Sequence, residues 1–150
     1  MTVPFHIARA CTLVLAVLAV ACSKDTPTSP TSTTTSTSAV AAEPIYNEQF
    51  TGKVSVSGSS FYSFTVTQYG TVNITLTNVD GAMVPPTVTL GLGIGVPDGE
   101  GCTTSSTVNT KAGSAAQLTG VYDAGVYCAE VFDVGNLYAP ANFAVTIGYP

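Results

Sequence analysis

Charge is the scarcest property of this chain. Of 150 residues only 9% are charged, and four basic side chains against nine acidic ones leave a formal net charge of -5. An average soluble chain carries about 25% charged residues. Cations this few exclude a basic surface for nucleic acid. Trp is absent, the only His is His6, and the only Arg is Arg9. If the first residues are removed, no imidazole or guanidinium remains, and the basic side chains are Lys24, Lys53 and Lys111. A nucleophilic triad lacks its usual base, and neither Lys53 nor Lys111 stands in a Ser-x-x-Lys spacing. Zinc sites built on His are excluded for the same reason, and a phosphate grip lacks both Arg and a Gly-rich loop with Lys.

What is present at the amino end is an apolar run. Ala10 to Ala21 reads ACTLVLAVLAVA and carries no charge. Its 12 residues fall short of the about 20 that a membrane-spanning helix needs. With Arg9 before it, the run fits a secretory leader over residues 1–21. Cys22 follows at once. Ala19-Val20-Ala21-Cys22 resembles the lipobox of bacterial lipoproteins, with Ala19 where that family usually has Leu and Leu18 one place earlier. The resemblance implies cleavage before Cys22 and acyl chains, palmitate among them, on its thiol and new amino end. Two or three such chains make a lasting membrane anchor, at about 0.8 kcal/mol per buried CH₂. Ser23, rather than Asp, follows the Cys. In a Gram-negative source that implies the outer membrane.

Ser23 to Glu43 reads SKDTPTSPTSTTTSTSAVAAE. Ser and Thr dominate and no aromatic occurs, so residues 22–44 are expected to form a disordered linker. A flexible coil of this length spans roughly 25 Å. Its Thr run is either bare or O-glycosylated.

From Ile45 the composition turns to short runs at period two, the mark of half-buried strands. Phe50, Val54 and Val56 alternate with Thr51, Lys53 and Ser55; Tyr62, Phe64 and Val66 with Ser63 and Thr65; Val72, Ile74 and Leu76 with Asn73 and Thr75. Val88, Leu90, Leu92 and Ile94 alternate with Thr89, Gly91 and Gly93; Tyr127, Ala129 and Val131 with Cys128 and Glu130; Phe143, Val145 and Ile147 with Ala144 and Thr146. Weaker strands near Thr103–Val108 and Gln117–Leu118 bring the total to about eight. The breaks carry turn chemistry, such as Ser57-Gly58, Asp80-Gly81, Pro85-Pro86 and Asp98-Gly99. These signals predict one all-β domain over 45–150, an antiparallel two-sheet β-sandwich.

Asp123-Ala124-Gly125-Val126-Tyr127-Cys128 has the flavour of the immunoglobulin tyrosine corner. There, however, the Tyr precedes the Cys by two residues and a Trp packs on the disulfide. A closer pattern is Phe50-Thr51-Gly52, Phe61-Tyr62-Ser63-Phe64, Gly70-Thr71-Val72-Asn73-Ile74, Ala124-Gly125-Val126-Tyr127 with Val131, and Phe143-Ala144-Val145-Thr146-Ile147. Over about 100 residues this resembles the bacterial pre-peptidase C-terminal (PPC) domain, which implies a jelly-roll-like sandwich. Thr89-Leu90 stands where that family has Asp-Leu.

Cys11 falls in the leader and Cys22 would carry lipid. Cys102 and Cys128 remain, an even pair in an exported domain, and are expected to form a disulfide. Some relatives of the resembled family bind calcium near the first strand. By that resemblance Glu43, Asn47 and Glu48 are candidate calcium ligands. Asp98 and Glu100 form a second acidic turn, since calcium takes oxygens from acids and carbonyls. Asp80, Asp98, Asp123 and Asp133 each have Gly one or two places later and read as turn residues. Glu130 is expected on an outer strand face. Tyr46, Tyr69, Tyr138 and Tyr149 flank the strands and are candidate ligand-contacting aromatics.

The residues thus imply a non-enzymatic, lipid-anchored envelope protein, its sandwich a binding or adhesion module for protein or glycan. The alternatives are a structural or envelope-assembly component, whose edge strands pair with another envelope protein, and more remotely a carboxylate-dependent hydrolase.

Overall fold

The computed structural model describes residues 39–150. The expected leader, Cys22 and most of the expected linker lie outside the described residues. Within them the chain is all-β. Its strands are β1 (Tyr46–Val54), β2 (Ser59–Val66), β3 (Gly70–Asp80), β4 (Leu90–Pro97), β5 (Cys102–Thr110), β6 (Leu118–Tyr122), β7 (Gly125–Phe132) and β8 (Ala141–Tyr149). They form two four-stranded sheets, ordered β1-β8-β3-β6 (sheet A) and β2-β7-β4-β5 (sheet B).

The pairing is that of one long hairpin rolled up. β4 pairs with β5, β3 with β6, β2 with β7 and β1 with β8, all antiparallel. Rolling this ribbon adds the contacts β3–β8 and β4–β7, which close the two sheets. This is the jelly-roll arrangement.

The alternation read from the sequence decides which face each strand buries. Val72, Ile74, Leu76, Val145 and Ile147 of sheet A meet Phe64, Val66, Leu90, Leu92, Ile94 and Val131 of sheet B in one core. Most of these are fully buried, and each large aliphatic contributes about 1.5–3 kcal/mol of transfer free energy.

Three departures from the sequence reading have physical causes. The strand expected from Val88 begins at Leu90, because the Val88 N–H closes a turn onto the Pro85 carbonyl at 3.0 Å. The strand expected at Gln117–Leu118 runs over Leu118–Tyr122 instead. Just before β6 begins, the Gln117 side chain takes the place of strand pairing: its Oε1 accepts the Leu76 N–H at 2.7 Å and its Nε2 donates to the Leu76 carbonyl at 3.3 Å. Finally, Ala42 already bridges Gly70, three residues before the expected boundary at Ile45.

Two bulges shape the outer faces. In β3 the register slips between Leu76 and Asn78, leaving Thr77 unpaired with β8. Val79 therefore returns to the core, while Asn78 and Asp80 turn outward. In β5 the slip falls opposite Ile94 and Gly95. There the backbone of Thr103 lies directly over Gly95, so close that a Cβ would collide with the Thr103 carbonyl oxygen. A glycine at this place lets the start of β5 climb over β4 and bring Cys102 above β7.

The two ends of the sandwich differ. The chain enters beside Tyr149 and Gly70, through Ala42 N–H to Tyr69 carbonyl at 3.1 Å and Ile45 N–H to Tyr149 carbonyl at 3.1 Å. A ladder of aromatic rings lines this proximal end. Tyr46–Tyr149, Tyr149–Phe64, Phe64–Tyr127 and Tyr127–Tyr122 stand 5.8, 5.4, 6.3 and 5.2 Å apart between centroids. Tyr127 Oη also donates to the Asp123 carbonyl at 3.1 Å, a tyrosine-corner bond in a jelly-roll. The opposite, distal end carries the loops β1–β2, β3–β4 and β7–β8.

Candidate functional site

Sheet register brings together a polar patch that no sequence neighbourhood reveals. On the outer face of sheet A, Lys53 pairs with Asn142, which pairs with Asp80. One step inward, Thr51 pairs with Ala144, which pairs with Asn78. The small Ala144 leaves a floor between polar walls, and the result is an open groove of about 520 Å³ at the distal half of the face. Its central groups are held by one another. Asn78 Nδ2 donates to Asp80 Oδ2 at 2.8 Å, and Asn142 Nδ2 donates to Asp80 Oδ1 at 2.9 Å. Bonds to an ionised acceptor are the stronger kind, so both amide planes are set before any ligand arrives.

A second, apolar cleft of about 100 Å³ lies among the distal loops. Met83, Val84, Pro85, Val88, Leu137 and Tyr138 line it. Tyr138 is 93% exposed and Met83 73%. The two loops are tied by Asn136 Nδ2 donating to the Thr89 carbonyl at 3.3 Å.

The residues singled out from the sequence distribute as follows. Cys102 and Cys128 are disulfide-bonded, with Cα atoms 5.9 Å apart. Glu48 and Asn47 lie on opposite faces of β1, as strand alternation requires. Glu48 turns inward and accepts hydrogen bonds from Tyr149 Oη at 2.6 Å and Tyr62 Oη at 3.0 Å. Asp98 Oδ2 accepts from Thr103 Oγ1 at 2.7 Å within its own hairpin. Glu43 and Glu100 are exposed. Among the described residues, no group of three His, Cys, Asp or Glu side chains converges as a metal site would require. The geometry thus spends Glu48 on two tyrosine hydroxyls of other strands and Asp98 on its own hairpin, and does not gather the five candidate calcium ligands.

Of the four candidate aromatics, Tyr138, Tyr46 and Tyr69 are exposed, but Tyr149 is 7% exposed and belongs to the core. Tyr46 and Tyr149 do not flank strands; they are paired members of β1 and β8. Glu130 lies on β7 between buried neighbours and is half-exposed. The sequence reading missed Tyr62 and the groove residues Thr51, Asn78, Asn142 and Ala144. It placed Asp80 only as a turn residue.

The Glu48 cluster has a measurable electrostatic signature. The hydrogen bond to Glu48, burial and the Glu48 charge push the Tyr149 phenol up to about 12 from its ordinary 10.0. The same hydrogen bond raises Tyr62. A raised phenol favours the neutral form in the fold, so this stabilisation is complete below about pH 10 and drains away as pH climbs toward 12. Glu48→Gln removes the charge. An ultraviolet titration of tyrosinate should then show Tyr149 ionising well below 12; an unshifted last phenol would contradict the assignment.

No protein-family model matches the sequence, and no curated protein matches it.

Proposed function

We propose that this chain is an exported, lipid-anchored β-sandwich of the cell envelope that acts as a binding or adhesion module for protein or glycan. The observation that carries the reading is the polarity of the sandwich. The chain enters at the Tyr46–Tyr149 end, whereas the amide-lined groove and the exposed Tyr138 and Met83 lie toward the other. A domain held by acyl chains on Cys22 would thus be anchored at one end and free to receive its ligand at the other. The Cys102–Cys128 disulfide supports an oxidising compartment, and the lipobox-like run before Cys22 supports the anchor. The PPC-like strand pattern fits the jelly-roll order. In a Gram-negative source the envelope location is the outer membrane.

A second reading rests on β5. It is an edge strand of nine residues, Cys102–Thr110, without a charged side chain. Edges so bare of gatekeepers invite strand addition, which would suit a structural component pairing with another envelope protein.

The test combines two measurements on protein from native envelopes. Intact mass should begin at an acylated Cys22; a chain beginning at Met1 ends the anchor reading. Binding to arrayed glycans and extracellular proteins should then be blocked by a polymer attached at Ala82→Cys, on a distal loop. The same polymer at Gln68→Cys, on the proximal β2–β3 loop, should leave it intact. Equal sensitivity at both ends, or no binding, overturns the module reading. Blockage only by changes along β5 favours the strand-pairing alternative.

A further inference from the structure

We propose that the groove on the outer face of sheet A is a binding site for neutral glycan, gripping ring hydroxyls through Asn78, Asn142, Thr51 and Lys53. This deepens the module reading above and rests on it.

The walls offer oriented hydrogen-bonding groups. The Asp80 carboxylate takes one N–H from each amide, 2.8 Å from Asn78 and 2.9 Å from Asn142. With Nδ2 fixed, each amide oxygen is fixed as well, and among the described residues neither accepts a hydrogen bond. The opposite wall carries an ammonium on Lys53 and a hydroxyl on Thr51, side chains of the exposed face of β1. The β3 side and Asn142, at the end of the β8 floor, therefore present oriented acceptors, and the β1 side presents donors. A sugar hydroxyl donates and accepts at once, so neighbouring hydroxyls on one ring satisfy both walls. The groove volume, about 520 Å³, lies within the roughly 300–1,000 Å³ of small-molecule sites.

Other ligand classes fit less well. An anionic ligand meets Asp80 and a chain of net charge -5, a combination that repels it. A cation meets Lys53, and both Asp80 oxygens already carry an amide N–H. A peptide added as a strand needs a sheet edge. The groove instead crosses β1, β8 and β3, and β8 and β3 are interior strands of the sheet. An apolar side chain finds a floor of only Gly52, Ala144 and the buried Phe143 between polar walls. The β3 bulge is what makes the site: without the slip at Thr77, Asn78 and Asp80 would face the core and Val79 the solvent.

Phe143, the one aromatic residue along the groove, is buried with its ring against the inner side of Gly52, so recognition rests on hydrogen bonds and affinity should be modest, with Kd of about 1 mM. The experiment uses the full mature chain, isotope-labelled for NMR. It is titrated with soluble neutral oligosaccharides of gluco-, manno-, galacto- and xylo-configuration. At least one should shift the side-chain amide signals of Asn78 and Asn142 and saturate. Ala144→Phe fills the floor from the solvent side and should weaken that binding at least about tenfold while circular dichroism is unchanged. Asp80→Asn releases the clamp and should weaken it by a smaller factor.

The proposal is overturned if no saccharide at about 50 mM, well above that Kd, moves the two amides. It is also overturned if Ala144→Phe, folded by the same spectrum, binds as well as wild type. If the saccharides fail while array binding still depends on the distal end, the glycan assignment falls and the module reading stands. If both fail together, the module reading falls with it.

Discussion

Replacing Cys102 and Cys128 together by Ala should lower the thermal midpoint by roughly 15 °C. The bond joins positions 26 apart in sequence. On the chain-entropy model, closing such a loop removes about 3.5 kcal/mol worth of freedom from the unfolded chain. In a domain of this size each kcal/mol moves the midpoint by about 4 °C. The local structure explains why nothing else would compensate. β5 is an edge strand with one neighbour, β4. Its residues are half-buried or exposed throughout, and Val108 is its only large aliphatic. Its first residues leave the plane of the sheet to pass over Gly95, where the bond to Cys128 of β7 fixes them. Without the bond, hydrogen exchange at Thr103, Thr104 and Ser105 should rise well before the rest of sheet B opens. Thermal melts of the oxidised protein and the double variant decide the matter. A difference of only a degree or two would mean that the crossing over Gly95 holds β5 without covalent help.

How legible this molecule is depends on whether a feature is local. Strands whose inward residues are large and outward residues are Thr or Asn announce themselves. β3, with Val72, Ile74 and Leu76 against Asn73 and Thr75, is one, and β8 is another. β5 and β6 are faint because Cys102–Thr110 and Leu118–Tyr122 offer one or two large apolar side chains each. The pairing of Cys102 with Cys128 follows from counting and needs no geometry. The groove is invisible because two registers, β1–β8 and β3–β8, must be known at once, and because the bulge at Thr77 reverses the faces of Asn78, Val79 and Asp80. A reader extending the alternation past Leu76 would send both polar residues into the core. Tyr149 misleads for a related reason. Read as a strand-flanking aromatic it looks exposed, yet the rolled ribbon lays β8 between β1 and β3, and the ring packs against Tyr46 and Phe64.

Asp133 shows a local reading that is right but incomplete, and it carries the second large expected effect. The sequence marks it as a turn residue by Gly135 two places on. Its Oδ1 indeed accepts the backbone N–H groups of Gly135, Asn136 and Leu137 at 2.8, 2.9 and 3.2 Å. Its Oδ2 reaches across the distal end to the N–H of Ser57 at 2.8 Å. Ser57 sits in the left-handed region at φ 57°, an uncommon place for a residue with a side chain. The Asp133 N–H donates in turn to the Gly58 carbonyl at 3.0 Å. One carboxylate therefore ties the β1–β2 turn to the β7–β8 loop and holds the strained Ser57 in place. Burial, the largest single influence on this carboxyl, opposes its ionisation. The four N–H donors from Ser57, Asn136, Leu137 and Gly135 together outweigh it and keep the group below its ordinary 3.8. A depressed acid stabilises the fold above its unfolded value and ceases to do so as pH falls through the folded one. Asp133→Ala should accordingly cost about 2–3 kcal/mol at neutral pH, the range for losing bonds to a charged acceptor. Asp133→Asn, which keeps an oxygen for the loop but not the charge, should cost about half as much. Urea denaturation of the three proteins from pH 7 down to pH 3 separates them. Wild type should lose part of its advantage below pH 4, and neither variant should show that loss. If wild type and Asp133→Ala ran parallel across this range within about 0.5 kcal/mol, the spread of an ordinary surface substitution, Asp133 would be a turn residue and nothing more.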